Sequence, residues 1–128
     1  MSKRVVRTEN APAPFQGAPY SQGIVHNGLV FVSGQLGIDP ESGDVVEGGI
    51  GPQTEQVMKN LAAILEAAGS SLANVVKATI FLADLGDFKA MNEVYGSHMG
   101  SEPPARATIQ VAALPSEVLV EIEVIAHT

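Results

Sequence analysis

Arg106 stands in Pro103-Pro104-Ala105-Arg106-Ala107-Thr108, where two prolines that donate no backbone hydrogen bond and fix their own φ deliver the chain stiffly to an extended segment. A guanidinium held there is a planar fork of donors suited to a carboxylate. Among the seven cations, Lys3, Arg4, Arg7, Lys59, Lys77, Lys89 and Arg106, it is the only arginine beyond residue 7. Further on, Glu121 and Glu123 alternate with Val120, Ile122 and Val124, so both carboxylates project from one side of a predicted strand. An arginine that anchors a carboxylate and a glutamate that orients or deprotonates water are equipment for hydrolysing a small anion. Each also has a plainer reading, Arg106 as a strand-end ion-pair residue and the glutamates as solvent-facing residues of an outer strand.

Other chemistry is thinner. Tyr20 sits in a loop fenced by Pro19 and Gly23, where a phenol either lines a site or packs half-buried against the core. Ser33 has no histidine at a motif spacing and no Gly-x-Ser-x-Gly around it, which argues against a serine nucleophile. His26, His98 and His127 lack the paired spacing of zinc sites, so no metal is expected. Gly48-Gly49-Ile50-Gly51 lacks the lysine and hydroxyl residue of a phosphate loop. There is no cysteine, which removes thiolate nucleophiles and disulfides together.

The bulk properties bound the partners. A chain of 128 residues is the size of a single domain, here taken as 1–128, and buries roughly two-thirds of its extended surface. Fourteen acids against seven bases give a net charge of −7, which repels phosphate backbones and disfavours nucleic acid. A single arginine still acts locally on a small anion, because long-range charge is screened within about 8 Å. No apolar run approaches the ~18 residues of a membrane helix, and the basic stretch Met1-Ser2-Lys3-Arg4-Val5-Val6-Arg7 runs into Thr8-Glu9-Asn10-Ala11-Pro12 rather than an apolar segment, unlike a signal peptide. A cytoplasmic location and no membrane partner are expected.

The elements that must position these residues follow from periodicity. Arg4–Thr8 reads as a short strand. Ile24–His26 and Leu29–Val32, separated by Asn27-Gly28, predict a hairpin with a two-residue turn, and Val45-Val46 a brief further pairing. Val57, Leu61, Ile64, Leu65 and Ala68 recur at helical offsets, predicting a helix over 52–68 with Pro52 in its first turn and Gly69 at its stop. Val75–Leu82 alternates as a strand with Val76, Ala78, Ile80 and Leu82 on the drier face. Asp87 is a candidate N-cap for a second helix over 88–99, whose stripe is Phe88, Met91, Tyr95 and Met99. Residues 105–111 and 118–126 are two final strands; a short antiparallel turn between them would set Arg106 and Glu121 roughly 5 Å apart. The order suggests an α+β layer with both helices on one face of a mixed sheet. Copies of the same chain are a reasonable cover for the other face.

Several stretches, in order, carry a resemblance. They are Ala18-Pro19-Tyr20-Ser21-Gln22-Gly23, Val32-Ser33-Gly34-Gln35, Asn74-Val75-Val76-Lys77, Asp84-Leu85-Gly86-Asp87-Phe88, Met91-Asn92, Pro104-Ala105-Arg106-Ala107, Val111-Ala112-Ala113-Leu114-Pro115 and Glu121-Ile122-Glu123. With them the chain resembles the reactive intermediate deaminase A (YjgF/YER057c/UK114) family along nearly its full length. The resemblance implies a chorismate-mutase-like, ferredoxin-like variant of the α+β fold, assembled as a homotrimer with clefts between subunits. It implies hydrolysis of 2-imino and 2-enamino acids, made by pyridoxal-phosphate-dependent dehydratases, to 2-oxo acids and ammonia. By position, Arg106 would clamp the substrate carboxylate and Glu121 would position water. Tyr20, Ser33 and Asn92 would line the pocket, and the Thr108 carbonyl would hold the imine nitrogen. An imine is already electrophilic, so orientation and a poised water suffice and no cofactor is expected. Two positions depart from the family pattern: Thr108 replaces a frequent cysteine, and Ala18 replaces the usual glycine. Alternative readings are an endoribonuclease or translation inhibitor, which the charge disfavours, and a non-catalytic trimer that binds small carboxylates.

Overall fold

The computed structural model describes residues 2–128, and its hairpin forms as the residue types dictate. Asn27 (φ 52°) and Gly28 (φ 77°) both adopt left-handed backbone, which a two-residue turn between twisted strands requires. Strand β2 (Gly23–His26) pairs antiparallel with β3 (Leu29–Leu36) from His26 opposite Leu29 onward. Strand β1 (Arg4–Val6) adds to the other edge of β2. It stops short of the predicted Thr8 because the Thr8 amide donates to the Gln22 side chain at 2.8 Å instead of to a ladder. The predicted pairing at Val45 is a single bridge to Ile38.

Helix α1 (Ile50–Ala67) buries Val57, Leu61, Ile64 and Leu65 completely. It ends where Gly69 turns left-handed (φ 84°) and Ser70 N donates back to Leu65 O at 2.8 Å, a glycine-dependent stop. Helix α2 (Phe88–Met99) buries Met91, Tyr95 and Met99, whereas Phe88 at the start of the same stripe is 41% exposed. Asp87 makes no capping bond. Asp84 Oδ1 instead accepts from Gly86 N at 2.7 Å and begins the tight turn over Leu85–Asp87 that feeds α2. No helix among the described residues is long and apolar enough to cross a membrane.

The six strands lie in the order β1-β2-β3-β6-β4-β5, with β4 (Val75–Leu82) parallel to β5 (Ala105–Gln110) and antiparallel to β6 (Val120–His127). Both helices share one core with the buried side of β3, β4 and β6, the expected α+β layer. A bulge between Val75 and Lys77 shifts the parity of β4, so Val75 is buried and Val76, predicted to be dry, is 46% exposed.

The final two strands are not neighbours. Four aliphatic side chains of β6, Val120, Ile122, Val124 and Ala126, are at most 3% exposed, and their burial under α1 draws β6 into the sheet centre between β3 and β4. Strand β5, which carries Arg106, Thr108 and Gln110, takes the polar edge. Moreover, Arg106 is registered with Ala78, and Ala78 with the buried Val124, whereas Glu121 is registered with Phe81. Arg106 therefore faces the helices and Glu121 the open side, and no cross-strand Arg106–Glu121 contact forms within one chain.

Polar side chains of α1 tie the helix to the sheet beside Glu121. Asn60 Nδ2 donates to Leu36 O (3.1 Å) and Ile38 O (2.9 Å), and Gln53 Oε1 accepts from Leu119 N (2.8 Å). Gly37 permits this approach, since a Cβ there would come within 2.9 Å of Gln53 Cα. Replacing Asn60 by Ala strands the Ile38 carbonyl and leaves Leu36 O with only the Ile38 amide, and its expected cost is about 1–3 kcal/mol of stability. A denaturant midpoint equal to wild type would contradict that accounting.

Candidate functional site

On the open face, a cleft of about 410 Å³ is lined by residues that include Phe15, Tyr20, Ser33, Gly34, Glu121 and Glu123. The loop that brings Tyr20 here is held from inside by Gln22, whose Nε2 donates to the carbonyls of Thr8, Ala11 and Pro12. Tyr20 itself accepts a hydrogen bond from the Phe15 amide at its phenolic oxygen. Ser33 Oγ donates to Ser21 O at 2.6 Å, which commits its proton and fits a lining role. A larger concavity of about 720 Å³ lies near Arg7, Thr8 and Gln22. It shares Tyr20 with the cleft but includes neither Arg106 nor Glu121.

Glu121 occupies its place because of a glycine. The ladder between β3 and β6 breaks between Val32 and Gln35, leaving Ser33 and Gly34 as a bulge, a common device for re-aiming groups near sites. The Glu121 carboxylate lies over Gly34 so closely that a Cβ there would collide with Oε2. Burial raises the Glu121 pKa above the ordinary carboxylate value, and the neighbouring charge of Glu123 raises it further. A carboxylate shifted in this direction is a better proton acceptor near neutral pH.

The second group of residues lies on the helix side at the β5 edge. The Arg106 guanidinium carbon is 5.1 Å from the Tyr95 ring centre and 5.5 Å from that of Phe88. Among the described residues no carboxylate pairs with it. Asn92 lies between Phe88 and Tyr95 on the same face of α2, four residues from one and three from the other. Asn92 Oδ1, Tyr95 Oη and Thr108 Oγ1 are all buried without a hydrogen-bond partner among the described residues, and such groups cost stability unless something fills them. Burial raises the Tyr95 pKa against the opposing pull of Arg106, so the phenol stays neutral. Val111 N donates to Leu82 O on β4, so by strand alternation the backbone groups of Thr108, three residues earlier, point to the free edge.

The sequence-predicted residues thus form two groups, Tyr20, Ser33 and Glu121 on one face and Arg106, Thr108 and Asn92 on the other. Sequence reasoning gave no site role to Gly34, Phe88 or Tyr95. The signals were available: a glycine directly after Ser33, and two aromatic residues bracketing Asn92 on one helical stripe.

Residues 8–128 match the family described as Endoribonuclease L-PSP. The chain belongs to this family. Within it, the chain is 52% identical to Reactive Intermediate Deaminase A, chloroplastic, of Arabidopsis thaliana, covering 98% of this chain and 66% of that one. It is 48% identical to the 2-iminobutanoate/2-iminopropanoate deaminase of Capra hircus, covering 97% of this chain and 89% of that one. The crystal structure of RidA from the Antarctic bacterium Psychrobacter superimposes with a TM-score of 0.93 at 46% identity, covering 98% of this chain and 99% of that one. The resemblance read from the motifs is borne out at the level of the L-PSP family.

Two outcomes test the Glu121 environment in this L-PSP family member. Gly34→Ala pushes the carboxylate outward, and its titration, followed by carboxyl NMR, moves down toward the ordinary glutamate range; an unmoved titration would show that Gly34 does not seat it. Because folding raises the Glu121 pKa, the ionised side chain destabilises the fold once pH rises through that value. Glu121→Gln should therefore raise the melting temperature at pH 7, with the gain vanishing below about pH 4, where both states are protonated. A lower melting temperature at pH 7 is the opposite sign.

Proposed function

We propose that the protein hydrolyses 2-imino and 2-enamino acids to 2-oxo acids and ammonia, in clefts between the subunits of a homotrimer. The observation that carries this reading is Arg106, a guanidinium that among the described residues pairs with no carboxylate, on the same side of the sheet as Asn92 Oδ1 and Thr108 Oγ1, buried polar atoms without a partner among those residues. The names of the Arabidopsis and goat relatives support it.

The split site supports the assembly. Glu121 and Arg106 face opposite sides of one sheet, so a site using both needs the Glu121 face of one copy against the Arg106 edge of another. The open face suits such contact. Phe31 is 41% and Ile109 46% exposed there, and Val5, registered with Ile24, adds to the same side. Exposed apolar area of this kind marks association surfaces.

In the reaction, Arg106 holds the substrate carboxylate bidentately and the Thr108 carbonyl accepts from the imine N–H. Tyr20, Ser33 and Asn92 line the pocket. Water attacks C2 as Glu121 accepts its proton, and the C=N π electrons pass to nitrogen, which takes that proton back from Glu121. In the resulting carbinolamine the hydroxyl proton passes to nitrogen as the C2–N bond breaks, so ammonia leaves and C2 becomes the 2-oxo carbon. The gain comes from orientation and a half-buried base acting on an electrophile that is already reactive. The family description also names an endoribonuclease, but a net charge of −7 opposes the phosphate contacts such an activity needs.

Imino acid generated in place by an amino-acid oxidase, with a competing trap, measures the activity. Arg106→Ala should lower kcat/KM at least about 100-fold, the loss of two charge-assisted hydrogen bonds, and Glu121→Ala should abolish the acceleration. The wild-type rate should fall on the acid side with an apparent pKa above the ordinary glutamate value. Wild-type activity in Arg106→Ala would end this proposal.

A further inference from the structure

We propose that Phe88 and Tyr95 are positioning residues that hold the Arg106 guanidinium by their ring faces and so leave its N–H donors free for the ligand carboxylate. This rests on the function proposed above. The two residues stand seven apart on α2, about 10.5 Å along its axis, and the guanidinium carbon lies within 5.5 Å of one ring centre and 5.1 Å of the other.

The usual way to hold a half-buried arginine is a carboxylate, which fixes the fork but consumes two of its five donors and cancels its charge. An aromatic face attracts the cation through the ring quadrupole, at distances up to about 6 Å, and accepts none of its planar hydrogen bonds. Arg106 is held in the second way, since among the described residues no acid pairs with it. An anion arriving at the β5 edge therefore meets a guanidinium already placed, with its charge and donors intact.

The placement of Phe88 makes more sense in this role than as core packing. Met91, Tyr95 and Met99 on its stripe are at most 6% exposed, but Phe88 is 41% exposed. A large apolar ring left in solvent over a cation trades burial for guanidinium contact. The Tyr95 ring supplies the inner wall, and its hydroxyl, buried without a partner, is not needed for the hold. The ring rather than the hydroxyl should matter.

Phe88→Leu is the principal test, because an exposed position tolerates leucine without unfolding. KM for the imino acid should rise about 10-fold, and so should the dissociation constant for pyruvate as a stable 2-oxo carboxylate probe, with kcat within about twofold. Phe88→Tyr and Tyr95→Phe, which keep the rings, should remain near wild type. In the free protein, NMR signals of the Arg106 side chain should be displaced by the ring currents and return to ordinary positions in Phe88→Leu. With three arginines in the chain, these signals are readily assigned. Undisplaced Arg106 signals in the wild type, or unchanged KM and pyruvate affinity in Phe88→Leu, would overturn the inference. A wild type inactive on imines would sink the proposed function, while the NMR displacement and pyruvate affinity would still decide the aromatic hold.

Discussion

Burial of Val120, Ile122, Val124 and Ala126 beneath α1 decides much of the geometry, because side chains along a strand alternate strictly between faces. Once those four residues face the helices, Glu121 and Glu123 have nowhere to project but the open side. The same burial requires β6 to be flanked on both edges, by β3 and β4, and so sends β5 to the periphery. Arg106 consequently lies on the helix side of an edge strand, remote in topology from the carboxylates that lie nearest it in the final stretch of chain.

Around this constraint the protein seats Glu121 by close approach rather than by hydrogen bonds. Gly34 removes the Cβ that would collide with the carboxylate, and the bulge at Ser33 and Gly34 brings backbone beneath it. From the helix side, Asn60 secures Leu36 and Ile38, and Gln53 secures Leu119. Two polar residues on a buried helix face thus brace the end of β3 beside the glutamate and the entry to its own strand, β6. The result is a half-buried carboxylate with a raised pKa. Such a group costs the fold stability at neutral pH and makes a stronger base.

Much of the architecture was legible in local patterns. The hairpin followed from Asn27-Gly28, α1 from its apolar offsets, and the two faces of β6 from alternation, each reporting an interaction within a few residues. The failures have equally local causes. Asp87 looked like a cap until a turn begun by Asp84 preceded the helix, and Val76 looked buried until a bulge shifted the parity of β4. Arg106, Thr108, Asn92, Tyr20, Ser33 and Glu121 were named from residue type and motif resemblance, whereas Gly34, Phe88 and Tyr95 were not. Their roles lie in what they touch, and nothing in a glycine or a helical aromatic announces its neighbour.

By itself, then, the sequence determined the strands and helices, the family, and the cation and carboxylates on which the chemistry is proposed to rest, since propensity, periodicity and motif are carried by nearby residues. The tertiary structure decided that Arg106 and Glu121 face opposite sides of the sheet, that two aromatic rings rather than any described acid lie against the guanidinium, and that a glycine leaves room for the carboxylate. Strand order depends on which strand best buries its apolar face, a competition among segments far apart in the chain. No local pattern records its outcome.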